Sequence, residues 1–238
     1  MRNIALVILS YRSENLNKKR PSMFRIMFCL LIAISMWSCT TTINNVISPK
    51  TTVDTTGTMT DIDGNVYATV KIGNQTWMTE NLKTTKFNDG TAISYITDMS
   101  NWNVLGSGFS PNTIPEYCWY NNKSSNKPLY GALYNWPAVL SGKLGPIGWH
   151  VPSEQEWGTA LKSDPSMANM AHPGGWLNGD NNGSYAFESV DTTNICWCSD
   201  GFTNVYGENF SSYIMMDGLI YAAENLVFNG CSVRLVKD

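Results

Sequence analysis

Residues 61–78, DIDGNVYATVKIGNQTWM, decide the fold because they encode a complete antiparallel hairpin. From Val66 to Ile72, apolar side chains occupy every second position, which is typical of a strand with one buried face. Gly73-Asn74 is a turn-forming pair, and Gln75-Thr76-Trp77-Met78 begins the return strand. The sequence therefore predicts a half-buried antiparallel sheet at the start of a folded domain.

Helix-forming patterns follow this hairpin at two places. Ser153 and Glu156 form a capping box, and Asp164-Pro165 ends the helix that the box opens. A second helix is predicted from Tyr130 to Leu140, where Pro137 must kink or split it. Helices are thus few, and strands and turns dominate the domain.

The first 39 residues are predicted to be an export signal. Residues 26–37, IMFCLLIAISMW, are continuously apolar and follow basic residues, but at about 18 Å of helix they are too short to span a bilayer. Ser38-Cys39 then resembles the end of a bacterial lipoprotein signal, so we expect Cys39 to be lipidated and to become the mature N-terminus. The true start would be Met23. The alternative is an ordinary signal peptide in which Cys39 has no role.

A tether and one domain follow the signal. Nine of the 21 residues from 40 to 60 are threonine and no apolar period is present, which favours an extended, solvated segment. The predicted organisation is therefore signal peptide 1–39, tether 40–60 and a single domain at 61–238.

The charge of the exported part excludes some partners. The chain has 16 basic and 19 acidic side chains, but six basic and one acidic residue lie in the first 39. The remaining 10 basic and 18 acidic side chains give a net charge of −8. Such a surface repels a phosphate backbone, so we expect no nucleic-acid partner and no membrane contact beyond the lipid.

The chain also contains four long, ordered blocks: DIDGNVYATVKIGNQTWMTENLKTTKFNDGTAI (61–93), YCWYNNKSSNKPLYGALYNWPAV (117–139), GWHVPSEQEW (148–157) and SVRLVKD (232–238). Together they resemble the Fibrobacter succinogenes major paralogous domain, common in lipoproteins and secreted proteins of the Bacteroidetes. The third and fourth blocks are also similar to the formylglycine-generating-enzyme-like branch of the C-type-lectin fold. The resemblance implies an α+β, C-type-lectin-like fold. It would have a small twisted antiparallel sheet with first and last strands paired, two helices and a long loop-rich insertion.

Four cysteines follow the signal peptide, at positions 118, 196, 198 and 231, and an exported chain can pair them in three ways. The resemblance bears on the choice, because this chain lacks both cysteines of the family's usual bridge. We therefore expect Cys231 to pair with Cys196 or Cys198 as a replacement, leaving Cys118 buried and free. The alternative is a reactive pair, Cys196-Trp197-Cys198, although low-pKa thiols need cationic neighbours and this stretch is flanked by acidic residues.

The sequence gives little support to catalysis or to a metal site. His150 and His172 are the only histidines, and no His or Cys spacing suits zinc. The resemblance implies that His150 is a core packing residue. No nucleophile elbow or phosphate loop is present, so we expect no enzyme activity and no cofactor. Calcium stays open: Asp61-x-Asp63-Gly64 has acidic residues, but it lacks a downstream EF-hand glutamate and a turn is favoured.

The candidate ligand site lies in the long region from Gly174 to Gly230, which is rich in glycine, asparagine and aromatic residues and is predicted to form loops and short strands. An aromatic ring beside amides and a carboxylate suits a sugar, which stacks its apolar face and hydrogen-bonds through its hydroxyl groups. The alternative is a polar turn with one buried aromatic. The candidate residues of the main cluster are Trp176, Asn178, Asp180 and Asn182, and those of a weaker one are Tyr206 and Asn209.

These features predict a lipid-anchored protein of the outer membrane that binds a glycan or an envelope protein through loops 173–228, where recognition is usually carried. Display on the surface or towards the periplasm stays open. The alternative is a structural or adhesive subunit of a surface assembly. A third, weaker hypothesis is a cysteine-dependent oxidase similar to the formylglycine-generating enzymes.

Overall fold

The structure, a computed structural model, describes residues 56–102, 114–179, 184–203, 209–216, 220–226 and 229–238. Its helices are α1 (Lys127–Tyr130), α2 (Trp136–Leu140) and α3 (Glu154–Ser163), with short 3-10 helices at Met99–Asn101, Tyr120–Asn122, Ser124–Asn126 and Pro165–Asn169. Its strands are β1 (Gly57–Thr60), β2 (Val66–Ile72), β3 (Gln75–Met78), β4 (Ser94–Tyr95), β5 (Glu116–Trp119), β6 (Ala132–Tyr134), β7 (Trp149–His150), β8 (Gly174–Gly179), β9 (Tyr185–Val190), β10 (Asn194–Thr203), β11 (Asn209–Met216), β12 (Ile220–Leu226) and β13 (Val236–Lys237).

The first sheet is antiparallel and has the strand order β1-β2-β3-β13-β7. Its β2–β3 hairpin confirms the hairpin predicted from residues 61–78, with Ile72 opposite Gln75 across the turn. The expectation of a single buried face on β2 is wrong, because Tyr67 and Thr69 of the opposite face are buried and Val66 is exposed. The last strand pairs differently from the expectation. Val236 of β13 lies opposite Trp77 of β3, so the chain end joins the return strand of the hairpin and not the first strand.

The folded part also begins earlier than the predicted boundary at residue 61. Gly57–Thr60, at the end of the predicted tether, form the edge strand β1, with Met59 opposite Tyr67. Met59 is buried, whereas the other three residues of β1 are exposed. One buried side chain and four ladder positions therefore attach these threonine-rich residues to the sheet.

Helix α3 confirms the predicted capping box. The Ser153 hydroxyl accepts from the Glu156 amide at 3.2 Å, and the Glu156 carboxylate accepts from the Ser153 amide at 2.8 Å. The apolar face of α3 packs on the first sheet, where the rings of Trp157 and Trp77 lie 4.9 Å apart. The buried side chains around these two rings, which include Val70, Leu161 and Met167, are called the helix-side cluster.

The helix predicted from Tyr130 to Leu140 is wrong in its first half. Helix α1 ends at Tyr130, Gly131 turns the chain with a φ of 75°, and β6 follows. Only Trp136–Leu140 are helical in the second half, with Pro137 in the first turn. A proline there removes no intrahelical hydrogen bond, so Pro137 begins a helix and does not kink one.

The region from 174 to 230 corrects the expectation of a loop-rich insertion. It forms a second five-stranded sheet with the order β12-β11-β10-β8-β9, which we call the inserted sheet. Its β10 is ten residues long. In Ile195–Cys198 both faces of β10 are buried, so the polar–apolar alternation that marks a half-exposed strand is absent from the sequence. With a third sheet, β4-β5-β6, and three short α-helices, the architecture is α+β.

No disulfide is present among the cysteines that the structure describes. Cys118, Cys196, Cys198 and Cys231 are all buried free thiols. Cys231 and Trp197 belong to the main core cluster, whereas Cys196 and Cys198 belong to the helix-side cluster. The main core cluster is the largest group of buried side chains, and it includes Tyr134, Trp136 and Leu235. Successive residues of a strand point to opposite faces, and a bridge needs Cβ atoms about 4 Å apart. Cys231 therefore lies against the face of β10 that carries neither of its expected partners.

His150 differs from the expected core histidine. Its side chain is 41% exposed, and it lies between two carboxylates. Nδ1 is 2.5 Å from Asp238 Oδ1, and Nε2 is 3.0 Å from Glu156 Oε1. Burial alone would lower the pKa of His150, but the hydrogen bonds to Asp238 and Glu156 outweigh burial and raise it. The imidazole thus links the C-terminal residue to the N-terminus of α3.

Candidate functional site

The structure brings together two of the predicted ligand-binding residues on β8. Trp176 lies opposite Glu188 of β9, and Asn178 lies opposite Ala186. Asn178 Nδ2 donates to Glu188 Oε1 at 3.1 Å, so the indole, the amide and the carboxylate share one face of the hairpin. Trp176 is half-buried and packs against the main core cluster. We call these three residues the strand-face cluster.

The other predicted residues are not placed at this cluster. Asp180, Asn182 and Tyr206 lie outside the described residues, as does Cys39. The backbone of Asn209 lies in β11, opposite Thr203. Of the predicted residues, the structure brings together only Trp176 and Asn178, and it places beside them Glu188, which the sequence reasoning did not single out.

Gly175 fixes how β8 and β9 approach each other. Its φ is 63°, and a Cβ at this position would lie 2.4 Å from the carbonyl oxygen of Glu188 and 2.9 Å from the ring of Tyr120. Only glycine fits both the left-handed conformation and this close approach. The base of the β8–β9 hairpin is consequently held against Tyr120.

A second group of side chains lies near this base and was missed by the sequence reasoning. Tyr130 comes from the end of α1, His172 from the loop before β8, and Asp191 from the turn between β9 and β10. Asp191 Oδ1 accepts from the Tyr130 hydroxyl at 2.9 Å and lies 2.7 Å from His172 Nε2. We call these residues the turn cluster. Tyr130 and His172 are 42 residues apart along the chain, and His172 and Asp191 are 19 residues apart, so no local sequence motif identifies the cluster.

The turn cluster is accessible and its charge state is defined. The side chains of His172 and Asp191 are 44% and 57% exposed. The hydrogen bond from His172, helped by the one from Tyr130, lowers the pKa of Asp191. The bond to Asp191 in turn raises the pKa of Tyr130. At neutral pH the cluster therefore presents a carboxylate together with a protonated phenol.

Backbone strain is concentrated beside the turn cluster. Four described non-glycine residues have a left-handed φ: Asn121 at 52°, Asn122 at 55°, Ser189 at 60° and Asp191 at 63°. Ser189 lies near the end of β9 and Asp191 in the β9–β10 turn, and the other two directly follow Tyr120, whose ring packs against Phe187 of β9. Such conformations persist where surrounding contacts impose them, and they concentrate at functional sites.

An open polar groove of about 550 Å³ runs along the exposed side of α3. Asp200 of β10 contributes to it and accepts from the Glu154 amide at 2.5 Å, at the helix N-terminus. Gly158 lies in the groove, and nothing stands within 4 Å of where its Cβ would be. The groove is lined by Glu154, Gln155, Gly158, Thr159, Lys162 and Asp200.

The carboxylates of the acidic turn at 61–65 accept hydrogen bonds from the turn itself and from neighbouring residues. Asp61 accepts from the amides of Asp63 and Asn65 and from the Tyr67 hydroxyl, and Asp63 accepts from Thr85. These bonds support the interpretation as a turn. Within the described residues, no group of three or more His, Cys, Asp or Glu side chains could hold a metal ion. In the same part of the chain, no helix is long and apolar enough to cross a membrane.

The cysteines of β10 lack the environment of reactive thiols. Burial raises the pKa of Cys196 to about 11, although Arg234 partly opposes this. Burial also raises the pKa of Cys198, and the neighbouring Asp200 adds to the effect. Both residues would be protonated thiols at neutral pH, with no exposed sulfur to attack.

A comparison with known protein families identifies the family to which the chain belongs. The Fibrobacter succinogenes major domain matches residues 70–221. The chain belongs to this family. The matched region runs from β2 into β12 and contains the strand-face cluster, the turn cluster and the α3 groove. No curated protein and no solved structure matches the chain.

Proposed function

We propose that this member of the Fibrobacter succinogenes major domain family is a lipid-anchored binding protein of the outer membrane. Cys39 would carry the lipid, and residues 40–56 would hold the domain away from the bilayer. The ligand would be a glycan, recognised by residues within 173–228. We further propose that the two sheets and α3 follow a C-type-lectin-like arrangement, in which the inserted sheet forms the recognition face.

The strand-face cluster is the observation that carries this proposal. Trp176 offers part of an aromatic face, and Asn178 and Glu188 offer an amide and a carboxylate on the same side of the hairpin. Sugars stack their apolar faces on aromatic rings while their hydroxyl groups bond to such polar side chains. A fully buried core tryptophan would leave no ring face for a ligand, whereas Trp176 is only half-buried.

A glycan and polysaccharide array tests the proposal. The mature protein is applied with calcium and with a chelator, beside Trp176→Ala and, as a control, Gly158→Ala on α3. We expect a selective signal that Trp176→Ala abolishes and Gly158→Ala retains. Loss with the chelator would add a bound ion to the site. A blank array from folded protein would contradict glycan binding and favour an envelope protein as partner.

The second candidate function is a subunit of a surface assembly. It is supported by Leu140 and Ile147, whose exposures are 70% and 96% and which could contact a second copy. Concentration-dependent oligomerisation in analytical ultracentrifugation would support this function, and a monomer at all concentrations would contradict it. Buried thiols with raised pKa values give no support to a cysteine-dependent oxidase.

A further inference from the structure

We propose that Tyr130, His172 and Asp191 form a second binding site, built for a neutral sugar residue that presents two adjacent hydroxyl groups. This site differs from the strand-face cluster in its residues and in its position at the β9–β10 turn. The inference rests on the proposed function in one respect, since both sites take carbohydrate. The experiment below nevertheless separates the two.

The polar atoms of the turn cluster are held in place and only partly used. Asp191 Oδ1 accepts from Tyr130 and lies against His172 Nε2. Neither Asp191 Oδ2 nor His172 Nδ1 makes a hydrogen bond to any residue within the described part of the chain. These two atoms belong to side chains that already contact each other, so they can engage neighbouring groups of one ligand. The site is therefore organised before a ligand arrives.

A row of aromatic rings begins at the turn cluster. The rings of Tyr130 and His172 have centroids 5.4 Å apart, and Tyr120 lies 6.1 Å from Tyr130. Phe187 of β9 continues the row at 5.2 Å from Tyr120. A carboxylate beside flat rings matches the two faces of a pyranose, which has an apolar C–H face and an edge of hydroxyl groups.

Stability does not account for this arrangement. Exposed ion pairs contribute little to the free energy of folding, and Asp191 is more than half exposed. Ser189 and Asp191 nevertheless adopt left-handed φ values, which are unfavourable for side chains other than glycine. The Asp191 amide donates to Pro173 and the Thr193 amide to Ser189, which maintains the strained turn. A ligand site would explain why the carboxylate is held at this position.

The chemistry of the cluster selects the ligand class. An ionised Asp191 repels anions such as phosphate, sulfate and acidic sugars. Hydroxyl groups suit the site because they donate to Asp191 Oδ2 and can either donate to or accept from His172 Nδ1, according to the protonation state of the ring. A permanent cation could pair with Asp191 and contact the Tyr130 ring, but it would make no hydrogen bond to the imidazole. A neutral sugar uses the carboxylate, the imidazole and the Tyr130 ring together.

Two glycine substitutions, one near the end of β9 and one in the turn that follows it, provide a matched test. Asp191→Gly removes the carboxylate, and Ser189→Gly leaves it in place; both put glycine at a position that already has a left-handed φ, so neither strains the fold. The processed full chain in detergent is mixed with methyl glycosides of neutral hexoses, and saturation-transfer NMR measures their binding. We expect at least one glycoside to bind the wild type and Ser189→Gly with similar affinity. Asp191→Gly should weaken it at least 10-fold, with circular dichroism melting curves that match Ser189→Gly.

Three results would overturn the inference. These are equal binding by the two glycine variants, no binding by folded wild type, and binding of tetramethylammonium or inorganic phosphate in place of the glycosides. Trp176→Ala separates this site from the strand-face cluster. A ligand lost with Trp176→Ala but kept with Asp191→Gly would support the proposed function and refute the second site. The reverse would support the second site and refute the placement of glycan binding at Trp176.

Discussion

The first sheet and the inserted sheet differ in how their side chains are used. In the first sheet with α3, Trp77 and Trp157 are fully buried, and the acidic turn at Asp61 is satisfied by neighbouring donors. In the inserted sheet, Trp176 is half-buried, and Asp191 is exposed on a strained turn. The first region therefore buries its tryptophans in the core, whereas the second leaves an aromatic ring and a carboxylate partly accessible to solvent.

Truncating one tryptophan in each region should give the largest difference between the two sheets. Trp157→Ala removes a fully buried ring that packs on Trp77 and lies under the Arg234 guanidinium, and we expect a loss of about 3–5 kcal/mol in the free energy of unfolding. Trp176→Ala should lose only about 1–2 kcal/mol, because its ring is half-buried. Urea unfolding monitored by circular dichroism measures both values. Equal losses would contradict the division into a stabilising and a recognising region.

Gly175 tests whether the close approach at the base of the inserted sheet is required. Gly175→Ala places a Cβ 2.4 Å from the Glu188 carbonyl in addition to straining the backbone, and we expect a loss of about 2–3 kcal/mol. Gly142→Ala is the matched control, since its φ is 66° but nothing lies within 4 Å of the added Cβ. Its loss should be only about 1 kcal/mol, from the backbone alone. Similar thermal shifts for the two variants would show that the contact with β9 is dispensable.

Gly158 should behave in the opposite way, because helix α3 has no steric need for glycine there. Gly158→Ala should increase the free energy of unfolding by about 1 kcal/mol, through the higher helix propensity of alanine. The thermal midpoint compared with wild type measures this gain. A decrease would reveal a tertiary contact of Gly158 that the structure does not contain.

The smallest expected effect concerns pH and His150. Its pKa is raised in the folded protein, so its contribution to stability is full below the unfolded pKa of about 6.5 and disappears as pH rises through the folded pKa. The pair is partly exposed, which limits the contribution to about 0.5–1 kcal/mol. In His150→Gln, the difference between the unfolding free energies at pH 5.5 and pH 8.5 should be smaller than in the wild type. An unchanged pH difference in that variant would assign the effect to other groups.

The same two regions explain how far the sequence predicts the structure. Alternation at Val66–Ile72 and the Ser153–Glu156 capping box are local patterns, and the hairpin and α3 follow from them. Residues Ile195–Cys198 of β10 are buried on both faces, so their side chains do not alternate between apolar and polar, and loops and short strands were expected instead. Tyr130, His172 and Asp191 meet only through tertiary contacts. Trp176 was singled out as a candidate because an aromatic residue among asparagines is visible in the sequence itself.

The central proposal is that the inserted sheet binds the ligand. The most direct test compares three forms of the mature protein on one glycan array: wild type, the double variant Trp176→Ala/Asp191→Gly, and Gly158→Ala. The account predicts a selective glycan signal that Gly158→Ala keeps and the double variant loses while remaining folded. A signal unchanged in the double variant, or no signal from folded wild type, would contradict it.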